Sequence, residues 1–512
     1  MQQSITTEKI IYDAKKEEAL NLEYSLAEYL PGISSIIKTD AVFHKCDFHE
    51  ENGKAFVDIG AKFNIIYLSD FGGKIKCASF DEDFSVQLKE PFDFDSAYTA
   101  LPDVYASSLG AKPVSGRKIL VKGTLHVNCS IYAKEETQLY SKEDDNDHIC
   151  TLTKDITCCE KLFLRSDSMS ASAELNLEKD SPAASDVIMS KANIHTLECK
   201  CDDGKINISA KLFLYALYEC TQDENSSHDS ATYAAVSSET DFEAFLEDSR
   251  INENQLCTAY IDINSIECSC SYDSYGESRI ITYNIKYTIT ANLFENKQYS
   301  VTEDVFSTKY LCQTDCKKLT CHSIVKPIHC RSAVSESVHG DLAGLNEISG
   351  CFLQIRSVSK ESTSGKNFAL ARCLLEIIGV NSSGELMSTD LPVTLHIPID
   401  ESDCSDESLE FIITACSCNA AVRDGSIDAE FVFDINGVCQ KHQSFQAVCS
   451  VTENTDEVPV KRNKGEIIVC YPNNDDTLWS LAKRYAVTPE AITRTNNLNS
   501  DTEALKNIIV IP

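Results

Sequence analysis

Basic residues are scarce in this sequence relative to acidic ones. Among 512 residues, 46 are lysine or arginine and 79 are aspartate or glutamate, which gives a formal net charge of −33 at pH 7. Such a chain is repelled by phosphate backbones and by anionic lipid surfaces, so we expect no nucleic-acid partner. The same charge favours a protein partner with a basic surface.

Long apolar runs are also missing. No run of about 18 apolar residues occurs, and charged side chains stand near the N-terminus where a secretory signal would have its apolar segment. We therefore predict no membrane insertion and a location in the cytoplasm of the cell that makes the chain. In that compartment the 24 cysteines are expected to be reduced thiols, with later cross-linking in an assembled shell as the alternative.

Complete catalytic signatures are the third absence. Asp70-Phe71-Gly72 matches a triplet of protein kinases, but the other kinase motifs are missing and the segment is typical of a hairpin turn. Ser357 and Lys360 match a Ser-x-x-Lys pair, yet they lie in a predicted strand. No phosphate-binding loop or metalloprotease His pair is present. The sequence predicts no enzyme, no catalytic residues, no cofactor and no metal site.

What the sequence does contain is a segment that is present three times. Each copy is a Gly-Lys turn, a β-type run and an Ala-Lys or Ala-Arg pair, with a strand-like run before the turn. The turns are at Gly53-Lys54, Gly204-Lys205 and Gly365-Lys366, and the pairs are Ala61-Lys62, Ala210-Lys211 and Ala371-Arg372. A looser hairpin follows each copy, around Gly116, Gly276 and Gly425. The pattern indicates three modules, each with two similar halves.

These strand and turn signals predict a mainly β protein. We expect three tandem modules of β-sandwich or barrel type, at residues 8–155, 156–312 and 313–452. Residues 453–465 are polar, contain Pro459 and are predicted to form a linker. A small final domain is predicted at residues 466–512.

Residues 466–512 change from strand periodicity to helix signals. Apolar residues at helical spacing predict a first helix, with Asp476 as its cap: Leu478, Leu481, Ala482 and Tyr485. Thr488 and Pro489 predict the start of a second helix, and a short strand is expected on either side, at 467–469 and 508–511. The predicted order is βααβ.

This final segment resembles the LysM family. Asp476-Thr477-Leu478-Trp479 is similar to the family's entry motif, and Asn496-Asn497-Leu498 also matches. The resemblance implies that polymers of N-acetylglucosamine, such as peptidoglycan, bind in a groove between two loops. Carried over to this chain, the groove or docking residues are Asp475, Asp476, Thr477, Leu478, Trp479, Asn496, Asn497 and Leu498, with Asn499 and Ser500 at the end of the second loop.

The entry loop departs from the family pattern. Asn474-Asp475 stands where the family usually has Pro-Gly, and Asn507 replaces a late glycine. An aspartate there adds a negative charge beside the sugar groove. We therefore expect the domain to dock a protein, with glycan binding as the alternative. Trp479, the single tryptophan, is either a partly buried structural residue or a contact residue for the partner.

The repeated module is similar to the SPOCS domain, a family found in endospore-forming bacteria. Three such modules followed by LysM resemble the architecture of a clostridial spore coat morphogenetic protein. The resemblance implies a non-enzymatic protein that assembles the coat on the forespore surface, from the mother-cell cytoplasm. Its implied partners are a coat basement-layer protein and other coat proteins. The alternatives are a peptidoglycan-binding protein of the wall or cortex and, as the weakest, a wall hydrolase.

Three Cys-x-Cys pairs lie on the strands that enter the hairpins, at Cys199 and Cys201, Cys268 and Cys270, and Cys416 and Cys418. Alternate residues of a strand share one face, and cysteine packs well as a small apolar residue. Core packing is therefore the expected role. The alternative is metal or redox binding, as half-sites for zinc or a cluster, with Cys312, Cys316 and Cys321 as the next candidate group.

Overall fold

The computed structural model of the chain describes most of its length, with short gaps. The described ranges are 3–92, 94, 97–142, 147–221, 232–340, 344–363, 366–399, 408–423, 425–459, 467–473, 475–498 and 508–512. Within these ranges the fold consists of long antiparallel strands and two short helices. The prediction of a mainly β protein is confirmed.

The strands fall into three successive sets that we call the first, second and third modules. The first has β1 (Gln3–Ser25), β2 (Ile33–Glu51), β3 (Lys54–Ser69), β4 (Ile75–Pro91), β5 (Tyr98–Ser115) and β6 (Lys118–Leu139). The second has β7 (Ile149–Arg165), β8 (Met169–Asn176), β9 (Ala184–Asp202), β10 (Lys205–Cys220), β11 (Tyr233–Glu247), β12 (Leu256–Ser271) and β13 (Ile280–Ser307). The third has β14 (Leu311–Val338), β15 (Leu345–Thr363), β16 (Lys366–Asn381), β17 (Leu386–Ile399), β18 (Ser408–Arg423) and β19 (Ser426–Asn454).

Each module is built from two sheets. One sheet is a three-stranded meander, with the orders β2-β3-β4, β9-β10-β11 and β15-β16-β17. The other places the last strand in the centre, with the orders β1-β6-β5, β7-β13-β12 and β14-β19-β18. In the second module the first strand is broken into β7 and β8, which both pair with β13. The two halves of a module therefore share a hairpin but differ in how their third strand is added.

The hairpin between β2 and β3 shows why glycine is needed at these turns. Asn52 and Gly53 both have positive φ values, 54° and 73°, and Gly204 in the next module has 75°. Two-residue hairpins need this left-handed backbone, which glycine adopts without strain. The third turn glycine, Gly365, lies outside the described residues.

Each module has its own apolar core between its two sheets. The central strands supply it, because alternate residues point inward: Ile59 and Phe63 on β3 and Ile119 and Val127 on β6 are at most 1% exposed. The pairs Ala61-Lys62 and Ala210-Lys211 are not in the same place relative to the turn. Ala61 lies two residues farther from its turn glycine than Ala210 does. Because a shift of two residues keeps a side chain on the same face of a strand, both alanines face the core.

The three modules pack on one another through residues at the same strand register. Ile5 pairs with Thr137, Ile156 with Tyr299, and Leu319 with Phe445 across the corresponding strands of the three modules. Five of these six side chains belong to one shared apolar cluster. The modules are therefore arranged around a common junction with approximate threefold symmetry.

A second junction between the modules is ionic. The ammonium nitrogen of Lys38 lies 3.0 Å from a Glu376 oxygen and 3.1 Å from an Asp390 oxygen, and that of Lys191 lies 3.3 Å from Glu376. Lys191 also pairs with Asp40. Burial acts to raise the pKa of Glu376, but Lys191 and Lys38 outweigh it and hold that pKa below its usual range. Charges from all three modules are thus neutralised in one network around the buried Lys38 and Glu376.

The predicted boundaries at 8–155, 156–312 and 313–452 remain predictions. In the structure, β7 spans residues 155 and 156, and the end of β19 covers residues 453 and 454 of the predicted linker. Residues 460–465 of that linker lie outside the described ranges. The final domain comprises β20 (Ile468–Cys470), α1 (Leu478–Tyr485), α2 (Pro489–Asn496) and β21 (Ile509–Ile511), and β20 pairs with β21.

Candidate docking domain at the C-terminus

The first helix of the final domain begins with a capping box. The Thr477 hydroxyl accepts a hydrogen bond from the backbone N–H of Ser480, and the Ser480 hydroxyl accepts one from the N–H of Thr477. These two bonds satisfy N–H groups that a helix start leaves without intrahelical partners. Thr477 is therefore the cap, and the prediction of Asp476 in that role is wrong.

Asp476 has a different structural task. It forms an ion pair with the Arg484 guanidinium on the last turn of α1, and it accepts a hydrogen bond from the backbone N–H of Asn473 at 2.8 Å. The Arg484 guanidinium and that N–H lower the pKa of Asp476. The carboxylate thus ties the entry loop to the helix and is buried.

The second helix begins as its sequence predicts. Thr488 caps it through the N–H of Ala491, and Pro489 occupies the first helical position. At its end, the Asn496 side chain accepts from the N–H of Val510 at 2.8 Å and donates to the Val510 carbonyl at 2.7 Å. Asn496 therefore holds β21 against α2.

Leu478 and Leu498 belong to the core of this domain. Leu478 is 5% exposed, and Leu498 is half-buried against the same cluster. Asn497 follows α2 with a left-handed backbone, φ 49°, and its side chain is exposed. Asp475 is exposed on the entry loop.

Trp479 connects the final domain to the second module. Its indole N–H donates to an Asp304 carboxylate oxygen at 2.8 Å, and its ring meets the ring of Phe306 edge-on at 4.9 Å. Lys483, one turn later on α1, lies 2.6 Å from another Asp304 oxygen. Asp304 and Phe306 are on β13, so the domain is docked against the second module by an ion pair and an apolar contact.

Another part of the domain, around β20, carries an exposed apolar surface. Ile467, Val469 and Tyr471 alternate with inward-facing residues along β20 and its flanks, and are 75%, 50% and 74% exposed. Ile508, beside β21, is 53% exposed. We call these four residues the β20 surface. It is the part of the domain that sequence reasoning missed, although the alternation of apolar residues at 467–471 could have signalled it.

Most of the predicted groove residues are thus already bonded or buried within the protein. The polar atoms of Asp476, Thr477 and Asn496 form bonds inside the domain, and Leu478 is buried. Asp475 and Asn497 remain exposed. Asn474, Asn499, Ser500 and Asn507 lie outside the described residues. The described part of the groove therefore offers a sugar few polar groups that are not already bonded.

The two segments that match catalytic motifs lie in ordinary structural elements. Asp70, Phe71 and Gly72 form the turn between β3 and β4, where Phe71 is 84% exposed and Gly72 has a φ of 70°. Ser357 and Lys360 lie within β15. Within the described ranges, no helix combines the length and apolar character needed to span a bilayer.

Two segments of the chain match known domain families. Residues 473–506 match the LysM domain, and residues 183–271 match the family described as the SPOCS domain of SipL. The second match covers β9 to β12, the hairpin half of the second module and the strand that follows it. No curated protein and no solved structure matches the chain. Both families are binding or structural modules, and they support a binding protein related to sporulation.

Proposed function

Because the chain combines a SPOCS domain with a C-terminal LysM domain, we propose that it is a non-enzymatic assembly protein of the spore coat. In this proposal the three modules form a rigid body on the forespore surface. The LysM domain is the docking module for a protein of the coat basement layer. The modules contact other coat proteins from the mother-cell side.

The observation that supports protein docking is that polar side chains of the predicted sugar groove are already bonded to other groups of the domain. Asp476 is bonded to Arg484 and Asn496 to Val510, while Asp475 adds a negative charge at the rim. Sugar recognition depends on hydrogen-bonding groups that are free to meet hydroxyl and amide groups. By contrast, the β20 surface is apolar and open, which is typical of a protein interface.

The expected partner has an apolar site surrounded by basic residues. The β20 surface supplies the apolar contact, and the net charge of −33 on the whole chain attracts a basic surface over distance. Tyr471 is the strongest candidate anchor, because tyrosine is enriched among interface hot spots and this one is 74% exposed.

The test replaces Tyr471 by serine in the full chain and follows the protein in sporulating cells. We expect loss of forespore localisation and an incomplete coat. Tyr275→Ser is the matched control, since Tyr275 is 82% exposed on a hairpin of the second module. Normal localisation of the Tyr471 variant would contradict docking through the β20 surface.

The second candidate function is peptidoglycan binding, which the LysM match favours. Its test is sedimentation of the full chain with insoluble peptidoglycan. Saturable binding that survives Tyr471→Ser but is lost on deletion of 466–512 would support the glycan function. Absence of binding, together with loss of localisation in the Tyr471 variant, would support protein docking.

A further inference from the structure

Three metal-binding side chains meet where the second module contacts the third. His195 comes from β9 of the second module, and Cys416 and Asp434 come from β18 and β19 of the third. One ligand atom from each lies within 4.8 Å of the other two, and all three residues are buried. It is the one such group among the residues that the structure describes.

We propose that His195, Cys416 and Asp434 form a zinc site that locks the second module to the third. An imidazole nitrogen, a thiolate and a carboxylate are a borderline-soft donor set that suits Zn²⁺. The three donors sum to two negative charges, which neutralise the ion. Three protein ligands leave a fourth coordination position for water.

Unsatisfied polar atoms at this place point to a ligand. His195 Nδ1 and Asp434 Oδ2 are buried without a hydrogen-bond partner, and so is the Thr196 hydroxyl beside them in sequence. The side chains of His195 and Asp434 are 1% and 2% exposed. A buried polar atom without a partner is costly, and a bound ion is one of the explanations that such an atom calls for. Three of the five atoms of this kind in the described residues are at this junction.

The backbone holds the three ligands in place. Cys416 is the extra residue of a β-bulge between Ala415 and Ser417, which turns its thiol away from the face that carries Cys418. The Asn193 amide donates to the Ala415 carbonyl at 2.7 Å, and the Asn436 amide donates to the Thr196 carbonyl at 3.2 Å. These two bonds cross the junction close to the ligands, so the ligand positions are fixed before any ion binds.

The same bulge in the second module has different chemistry. There the extra residue is Asn264, which donates to the Thr288 hydroxyl at 2.7 Å, so the polar pair satisfies itself. Thr288 holds the position in the second module that Asp434 holds in the third. In both modules the strand partner of this residue stands two positions before the bulge residue. The ligand set is therefore a property of the junction between the second and third modules and not of the repeat.

Two further groups lie beside the proposed ligands. The Arg331 guanidinium lies 3.6 Å from the other oxygen of Asp434, Oδ1. The Cys416 thiol lies 3.6 Å from the Thr414 carbonyl. Coordination by Cys416 forms the sulfur–zinc bond and releases the thiol proton to solvent, one proton for each ion bound.

The test measures metal in the full chain, purified without oxygen, chelator or affinity tag. We expect one zinc per chain by elemental analysis. After chelation, Co²⁺ should restore the site and give a thiolate-to-cobalt charge-transfer band in the near ultraviolet, with release of one proton per ion. Less than a tenth of an equivalent of metal and no cobalt band would overturn the proposal.

Variants assign the ligands. Cys416→Ser, Asp434→Asn and His195→Gln should each weaken Co²⁺ binding at least tenfold, and Cys416→Ser should abolish the charge-transfer band. Cys418→Ser is the matched control, since Cys418 is two residues away on the same strand and packs in the third core. Circular dichroism checks that each variant is folded. An unchanged band in folded Cys416→Ser would contradict the assignment, and the wild-type titration decides the proposal if the variants do not fold.

Discussion

The first two modules anchor the loop after their first strand in the same way, and the third does not. In the first module the Tyr67 hydroxyl donates to the Pro31 carbonyl at 3.1 Å, and in the second the Tyr218 hydroxyl donates to the Pro182 carbonyl at 3.1 Å. Both tyrosines are buried at the same register of the central hairpin strand. In the third module that register holds Gly379, which has no side chain to make the bond.

The third module uses its central strand for contacts with its neighbours and lacks this anchor, whereas the second module has both, since its Tyr215 hydroxyl donates to the Ser349 carbonyl of the third at 3.3 Å. Glu376 is at the register of Asn64 and Tyr215, and it forms the buried ion pairs with Lys38 and Lys191 of the other two modules. Gly350 leaves room for Tyr215, whose hydroxyl oxygen would lie 2.6 Å from an added Cβ. The repeats thus kept their fold and diverged where they meet, and the third module lacks the internal anchor that the first two retain.

The largest effect is expected from Glu376→Gln. The change leaves the buried Lys38 and the partly buried Lys191 with fewer negative partners and should cost about 3 kcal/mol of unfolding free energy. Because the folded-state pKa of Glu376 is lowered, the wild type has this stabilisation above the ordinary carboxyl pKa and loses it as pH falls through the lowered value. Urea unfolding of both proteins at several pH values measures the difference.

Asn64→Ala is the control for Glu376, because it changes the same register position in the first module. Asn64 is half-exposed and accepts a hydrogen bond from Ser79, so its loss should cost less than about 1 kcal/mol. Equal effects of the two changes would contradict a special role for the third module at the junction.

A smaller effect is expected from Gly379→Ala. An added Cβ would lie 2.0 Å from the backbone oxygen of Glu347, and backbone cannot move aside as a flexible side chain would. We expect a loss of about 2 kcal/mol. Gly110→Ala is the control, since nothing lies within 4 Å of its added Cβ. Thermal unfolding measures both, and a Gly379 variant as stable as the control would show that the close approach is not maintained in solution.

Next come Tyr67→Phe and Tyr218→Phe, which remove only the hydroxyl that holds the loop. Each should cost about 1 kcal/mol, and the two losses should be similar because the two bonds are alike. Urea unfolding of the single variants and of the double variant measures them. A marked difference between the two single variants would break the equivalence of the first two modules.

Sequence reasoning could reach the local features of this fold. Hairpin glycines such as Gly53 and Gly204, the strand periodicity and the start of α2 at Thr488 and Pro489 depend on neighbouring residues, so their signals are continuous in the sequence. Thr477 was missed as the helix cap because Asp476 suits that position equally well by residue type.

The contacts between modules could not be predicted in this way. Lys38 and Glu376, or His195 and Cys416, are far apart in sequence, and no local pattern pairs them. Trp479 was recognised as a contact or structural residue, but nothing in the sequence indicates Asp304 as its partner. Such contacts follow from the register of long strands, which is set only when the modules have assembled.

The smallest effect is expected at the contact between the second module and the LysM domain. Asp304 follows the bulge of β13, and the residue after the corresponding bulge of β19 is Ser450, which lacks the carboxylate. Asp304→Ala should therefore weaken docking by less than about 1 kcal/mol, since the Phe306 contact remains.

Trp479 is the single tryptophan, so its fluorescence reports the change directly, and the emission should move to longer wavelength as the indole meets water. Glu303→Ala, which removes a neighbouring ion pair with Lys154, should leave the emission unchanged. An emission maximum that does not move in the Asp304 variant would mean that the apolar contact alone holds the domain, and that the second module is not distinguished by its carboxylate.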